Sequence, residues 1–169
     1  MPFRRPRLRN RRQVIDIHFG DQPCYVWLPN PDEPLIIREF ADAANLASGV
    51  LDMPVQKEVM TLLDERRQVT AMFADPPTEL GLFVGWCDGP GLEVPFSQTM
   101  MICVADHVAD APPAADDRIG YFELRRIHML QGLQLLDILL VDHERVQSLA
   151  IACDPDAIWF EGFTPMEAA

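Results

Sequence analysis

The chain has 169 residues, 49 % of them hydrophobic, enough for one domain with a packed core and too few for two large ones. Six of its 14 basic residues lie in Arg4–Arg12. That leaves eight basic against 26 acidic residues, a net −18, in residues 13–169. A body this acidic repels phosphate backbones, so nucleic acid is expected only at the Arg4–Arg12 arm. No apolar run reaches the roughly 20 residues of a membrane span, and the basic N-terminus has no apolar stretch behind it, so neither a membrane contact nor a secretory leader is expected. The four cysteines (Cys24, Cys87, Cys103, Cys153) are widely spaced and contain no CxxC pair. They read as buried free thiols in a reducing, cytoplasmic setting.

Residues 1–13 form a basic arm, Arg-rich and Pro-broken, expected to be disordered or to fold back on the acidic body. Residues 14–34 read as an N-terminal β-hairpin and linker. Val14–Phe19 and Cys24–Leu28 are the strands and Gly20-Asp21-Gln22-Pro23 the turn. Arg38–Leu51 has helical spacing, with Phe40, Ala43, Ala44, Ala47 and Leu51 on one face and Ser48-Gly49 as a candidate early stop. Gln56–Leu63 and Gln68–Phe73 are strands joined by a charged hairpin tip, Asp64–Arg67. Leu80–Trp86 is a further short strand, with Trp86 and Cys87 packing on the sheet.

Met100–Val104 is an apolar strand that runs into a polar loop, Asp106–Asp117. Asp116 or Asp117 can cap a helix over Arg118–Gly132, because a carboxylate accepts from the free N–H groups of a helix start. Its buried face is expected at Ile119, Phe122, Ile127 and Leu130, with Glu123, Arg125 and Arg126 outside and Gly132 just past its end. Leu133–Val141 reads as a strand at the sheet centre. Asp142–Arg145 is a turn and Val146–Ala152 another strand. Ile158-Trp159-Phe160 in the tail, residues 153–169, can add an edge strand or cover the sheet. His18 is expected to be exposed or hydrogen-bonded, and His128 and His143 are expected at the surface.

Four of these pieces, in this order, make the chain resemble the RadC form of the JAB/MPN metallopeptidase-like family, over residues 35–152. Gln56-Lys57-Glu58-Val59-Met60-Thr61-Leu62-Leu63-Asp64, followed by Val69, looks like the family's opening hairpin. Ile102-Cys103-Val104-Ala105-Asp106-His107 stands where the family has an apolar strand running into His-x-His-Pro. Pro112-Pro113 with Asp116-Asp117 stands where it has Pro-x-Pro-Ser-x-x-Asp. Leu133–Val141 with Val146-Gln147-Ser148-Leu149 looks like its closing "G-I-x-L-L-D-H-I-I-V … Y-x-S-L". The resemblance implies a single α/β domain with a mixed β-sheet flanked by helices, cytidine-deaminase-like, preceded here by the hairpin.

In that family two His and one Asp hold Zn²⁺, a Glu is the general base and a Ser helps hold the oxyanion. Carried over by position, Glu58 matches the Glu and His107 the second His. Ala105 stands at the first His, and Ala114 or Ala115 at the Ser. Counting back from Asp137 puts the ligand Asp on Asp117, and counting forward from His107 puts it on Arg118. A one-residue deletion in the loop reconciles the two in favour of Asp117.

Two protein ligands fall short of the usual three of a catalytic zinc site. The first expectation is therefore a catalytically inactive RadC/JAB-like domain, without cofactor, that binds a protein partner. The alternative is a divergent metal-dependent, isopeptidase-like hydrolase. It would use Glu58 as base and His107, Asp117 and either Asp106 or Asp110 as ligands, an oxygen-rich set better suited to Mn²⁺ or Mg²⁺ than to Zn²⁺. A third reading is nucleic-acid association through the Arg arm. Against each site stands a plain structural role: Glu58 as a charged residue at a strand start, and the loop acids as a solvated turn and helix cap.

Overall fold

The computed structural model describes residues 13–19, 22–30, 32–76, 96–109 and 111–154, with residues 13–25 described as backbone only. Seven strands form one mixed sheet: β1 (Gln13–Phe19), β2 (Gln22–Leu28), β3 (Glu58–Leu63), β4 (Val69–Ala74), β5 (Gln98–Val104), β6 (Gln134–Val141) and β7 (Val146–Ser148). Their order is β1-β2-β4-β3-β5-β6-β7. Only β5 and β6 run parallel; every other pair is antiparallel. Among the described residues three helices complete the α/β fold: α1 (Phe40–Val50), α2 (Ala115–Leu130) and α3 (Leu149–Cys153). No helix among the described residues is long and apolar enough to cross a membrane. The expected turn at residues 20–23 falls partly outside the described residues, and the 80–86 strand, Trp86, Cys87 and the 158–160 segment fall wholly outside them.

The helices divide between the two faces of the sheet. Ala43, Leu46, Ala47 and Val50 of α1 pack with Val59, Leu63, Met72, Met100, Ile102, Leu139 and Val141. Tyr121 of α2 and Leu149 and Ala150 of α3 pack with Leu135 and Ile138, joined by the partly buried Met101 and Cys103. Alternation along β5 therefore sends Met100 and Ile102 to one layer and Met101 and Cys103 to the other.

Local polar contacts set where these elements begin. The Asp42 carboxylate accepts the Arg38 and Glu39 amides at 2.8 and 3.1 Å, so α1 starts at Phe40. It runs through Ser48-Gly49 to Val50, because Gly49 is buried within the helix instead of breaking it. The Asp75 carboxylate accepts the amides of Gln56, Lys57 and Glu58 at 2.9, 2.7 and 3.1 Å, which ties the entry to β3 to the end of β4. At the β3–β4 turn Asp64 accepts the Arg66 and Gln68 amides, and Arg67 takes a positive φ of 60° with its side chain buried.

Three expectations for the last third are corrected. First, α2 begins at Ala115 and its N-cap is Ala114; Asp116 and Asp117 lie inside the first turn, where they favour the helix through its dipole without capping it. Second, α2 turns its other face inward. Tyr121 and His128 are buried and Leu124 and Arg125 half-buried, while Ile119, Phe122, Ile127 and Leu130 face outward. The helix carries two stripes of bulky side chains, and sequence spacing alone cannot rank them. Third, Val146–Ala152 is only briefly a strand: pairing stops at Ser148 and α3 begins. Gly132 does follow α2, at φ 73°, and the Leu133 amide bonds back to the His128 carbonyl at 2.8 Å. β6 lies next to the edge strand β7, away from the sheet centre.

Candidate functional site

The parallel pair β5 and β6 ends on the side of the sheet where α2 begins, the place at which open α/β sheets commonly bind ligands. Glu58, the first residue of β3, is the antiparallel partner of Cys103 on β5. Burial pushes the Glu58 carboxyl up, the Asp75 carboxylate adds to the rise, and Lys57 opposes it. The Cys103 thiol is pushed up to about 12, first by burial and then by the negative charges of Glu58 and Asp117. Glu58 and Asp117 therefore act on the same thiol from β3 and from the first turn of α2. At neutral pH that thiol is protonated, which makes it a poor nucleophile.

His107 takes a different direction. It is exposed, and its charge acts on Asp142, a buried residue in the turn after β6. Asp142 organises this corner. Its Oδ2 accepts the Val108 amide at 2.7 Å, and its Oδ1 accepts the Glu144 and Arg145 amides at 2.7 and 2.6 Å. These bonds hold its carboxyl below the usual carboxylate range, the Val108 bond most of all. The exit of β5 is thereby pinned to the β6–β7 turn.

Of the residues singled out from the sequence, Glu58 and Asp117 share a neighbourhood and His107 lies beside Asp142. Ala105 offers no donor, Asp106 is exposed, and Asp110 lies outside the described residues. Among the described residues no group of three or more His, Cys, Asp and Glu is arranged to hold a metal ion. Ala114 and Ala115, at the serine position, are the N-cap and first residue of α2 and carry no hydroxyl. These donors do not fit a three-ligand zinc centre. The chain matches no protein-family model, no curated protein and no solved structure.

The closing segment, the most specific part of the sequence pattern, has a structural task. The register between β5 and β6 shifts so that Thr99 faces Leu135 and Met100 faces Asp137, leaving Leu136 as an extra residue. Just past it, the fully buried Asp137 carboxylate accepts the Ser148 hydroxyl through Oδ2 and the Ala150 amide through Oδ1, the latter at 3.0 Å. Ser148 Oγ in turn accepts the Ile151 amide at 2.9 Å and caps α3. A buried acid thus converts the end of an apolar strand into a helix start.

Two features were missed in the sequence. One is Asp142; the signal was an Asp opening a four-residue turn, where its side chain can take up amides two and three residues on. The other is an open cleft of about 790 Å³ beside the edge strand β7. Val108 and Pro113 of the loop, Phe40 of α1, Val146 and Gln147 of β7, and Ile151 of α3 line it. Gln147 Nε2 donates to the Ala111 carbonyl at 2.9 Å, which fastens the loop across one end. No contiguous sequence pattern encodes this cleft, because four separate elements build it.

Proposed function

We propose that this chain is a RadC/JAB-like α/β domain that has lost its chemistry and serves as a protein-interaction module. The observation that carries the reading is the division of the inherited metal positions. The charges of Glu58 and Asp117 act on the Cys103 thiol, the charge of His107 acts on Asp142, and Ala105 carries no donor. A catalytic metal needs its ligands on one point, and replacing a ligand by alanine while keeping strand, loop and helix preserves a surface rather than a reaction. The open cleft beside β7, lined by both apolar and polar side chains, offers a partner segment a strand that is at the sheet edge among the described residues, the recognition mode known as strand addition. The free thiols Cys103 and Cys153 suit a reducing cytoplasm.

The test is metal stoichiometry. The full chain is loaded with Zn²⁺ or Mn²⁺, passed through a desalting column and analysed for bound metal. The expected result is well under one equivalent, unchanged in His107→Ala. One equivalent of metal that disappears in His107→Ala would overturn the proposal in favour of the hydrolase reading, with Glu58 as its base. Binding through the Arg4–Arg12 arm is tested separately, by the salt dependence of RNA or DNA affinity with and without residues 1–12.

A further inference from the structure

The outer face of α2 is the largest unexplained feature of the described fold. Ile119, Phe122, Ile127, Met129 and Leu130 are 57, 46, 39, 67 and 77 % exposed. Together they leave on the order of 600 Å² of apolar surface in water, at the upper end of what a monomer usually shows in one patch. Two charged residues, Glu123 and Arg126, lie exposed among them, and Gly120 leaves open space on one flank, with nothing within 4 Å of where a Cβ would stand.

We propose that this face pairs with the same face of a second copy of the chain, the two α2 helices running antiparallel about a two-fold axis. The pattern is self-complementary about a centre between Leu124 and Arg125. At 3.6 residues per turn, Ile119, Glu123, Arg126 and Leu130 project along one line, with Phe122 and Met129 on one flank and Gly120 and Ile127 on the other. Reversing the helix about that centre sets Ile119 opposite Leu130 of the second copy and Glu123 opposite Arg126. Phe122 then lies beside Met129, and Ile127 meets the space at Gly120. Each contact occurs twice, as a two-fold interface requires. A parallel pairing would set Glu123 against Glu123 and Arg126 against Arg126, which the charges oppose. The two copies together cover about 1,200 Å², the lower bound of a stable specific interface, so a reversible dimer is expected. The pairing goes beyond the interaction-module reading and does not depend on whether a metal binds.

Sedimentation equilibrium of the full chain over roughly 1–100 µM tests it, with circular dichroism to confirm that each variant is folded. The expected result is a concentration-dependent dimer. Phe122→Glu and Met129→Lys each weaken it at least tenfold. Glu123→Arg alone and Arg126→Glu alone are monomeric. An equimolar mixture of these two variants forms the heterodimer, and the double exchange in one chain restores the homodimer. A wild-type chain that stays monomeric across this range overturns the proposal; if its Phe122 and Met129 are also shielded from oxidative labelling, another segment of the same chain covers the face. A dimer that survives Phe122→Glu and both single charge reversals equally overturns it.

Discussion

Ser148→Ala isolates the device that ends β7 and starts α3. The hydroxyl makes two bonds, donating to the Asp137 carboxylate and accepting the Ile151 amide, and Ser148 and Asp137 are both buried. Removing an N-cap hydroxyl costs about 1 kcal/mol. Removing a donor from a buried carboxylate costs about 1.5–3 kcal/mol, because water does not replace it. The two losses together predict about 2.5–4 kcal/mol, with Ser148→Thr much milder because it keeps the hydroxyl. For a domain of this size each kcal/mol moves Tm by about 2–4 °C, so a drop of roughly 6–12 °C is expected for the middle of that range. Urea unfolding followed by circular dichroism gives the free energy if the transition is two-state. A cycle with Asp137→Asn then isolates the pair. Residues that share a bond couple by about 0.5–3 kcal/mol, so the double variant should lose less than the two single losses combined. A Ser148→Ala chain within about 0.5 kcal/mol of wild type, or strictly additive variants, would refute the assignment of this network.

Three further outcomes follow from the buried titratable groups. Burial holds the His128 pKa below its ordinary value, against the opposing bond from Nδ1 to the Leu124 carbonyl at 2.8 Å. The unfolded chain therefore takes up this proton first, and stability falls as pH drops below about 6.5; His128→Leu, which removes a buried Nε2 with no partner, should flatten that part of the stability–pH curve measured by urea titration. The folded-state pKa of Asp142 is depressed, so its contribution is present above the ordinary carboxylate range and lost as pH falls through the folded value; Asp142→Ala should strip the Val108 amide of its protection from hydrogen exchange even at neutral pH, and full protection there would contradict the tie between loop and turn. With a pKa of about 12, about one Cys103 thiol in 10⁴ is ionised at pH 8, roughly a thousandfold fewer than for an unperturbed cysteine; iodoacetamide labelling read by peptide mass spectrometry should be correspondingly slow and should accelerate in Glu58→Gln, an ordinary wild-type rate would contradict the burial of the thiol, and an unchanged rate in Glu58→Gln would remove the influence of that carboxylate.

The contrast between α1 and α2 shows what governs legibility in this chain. The inward face of α1 is mostly alanine, its opposite face is polar, and one stripe satisfies the helical period, so Ala43, Ala44 and Ala47 were identifiable in advance. On α2 the inward stripe contains Tyr121, Arg125 and His128, and the outward one is the more hydrophobic. Hydropathy favoured the wrong face because the sheet accepts a tyrosine and a neutral histidine once their polar atoms find partners or the cost is borne elsewhere in the core. The same contrast holds for acids. Asp64, Asp75, Asp137 and Asp142 look alike in an acidic sequence, yet each accepts backbone or hydroxyl donors that fix a turn, a strand start, a helix cap or a loop.

The sequence by itself determined the described elements from α1 through β6, the glycine that follows α2 at Gly132, and the absence of donors at Ala105, Ala114 and Ala115. All of these depend on one residue or on neighbours within a turn. Tertiary structure decided which face of α2 is buried, that β7 gives way to α3 at Ser148, and that the Asp142 carboxylate ties the β5 exit to the β6–β7 turn. The bonds behind those outcomes join residues 11 to 34 positions apart, and their strength comes from burial, which exists only once the sheet has closed over them.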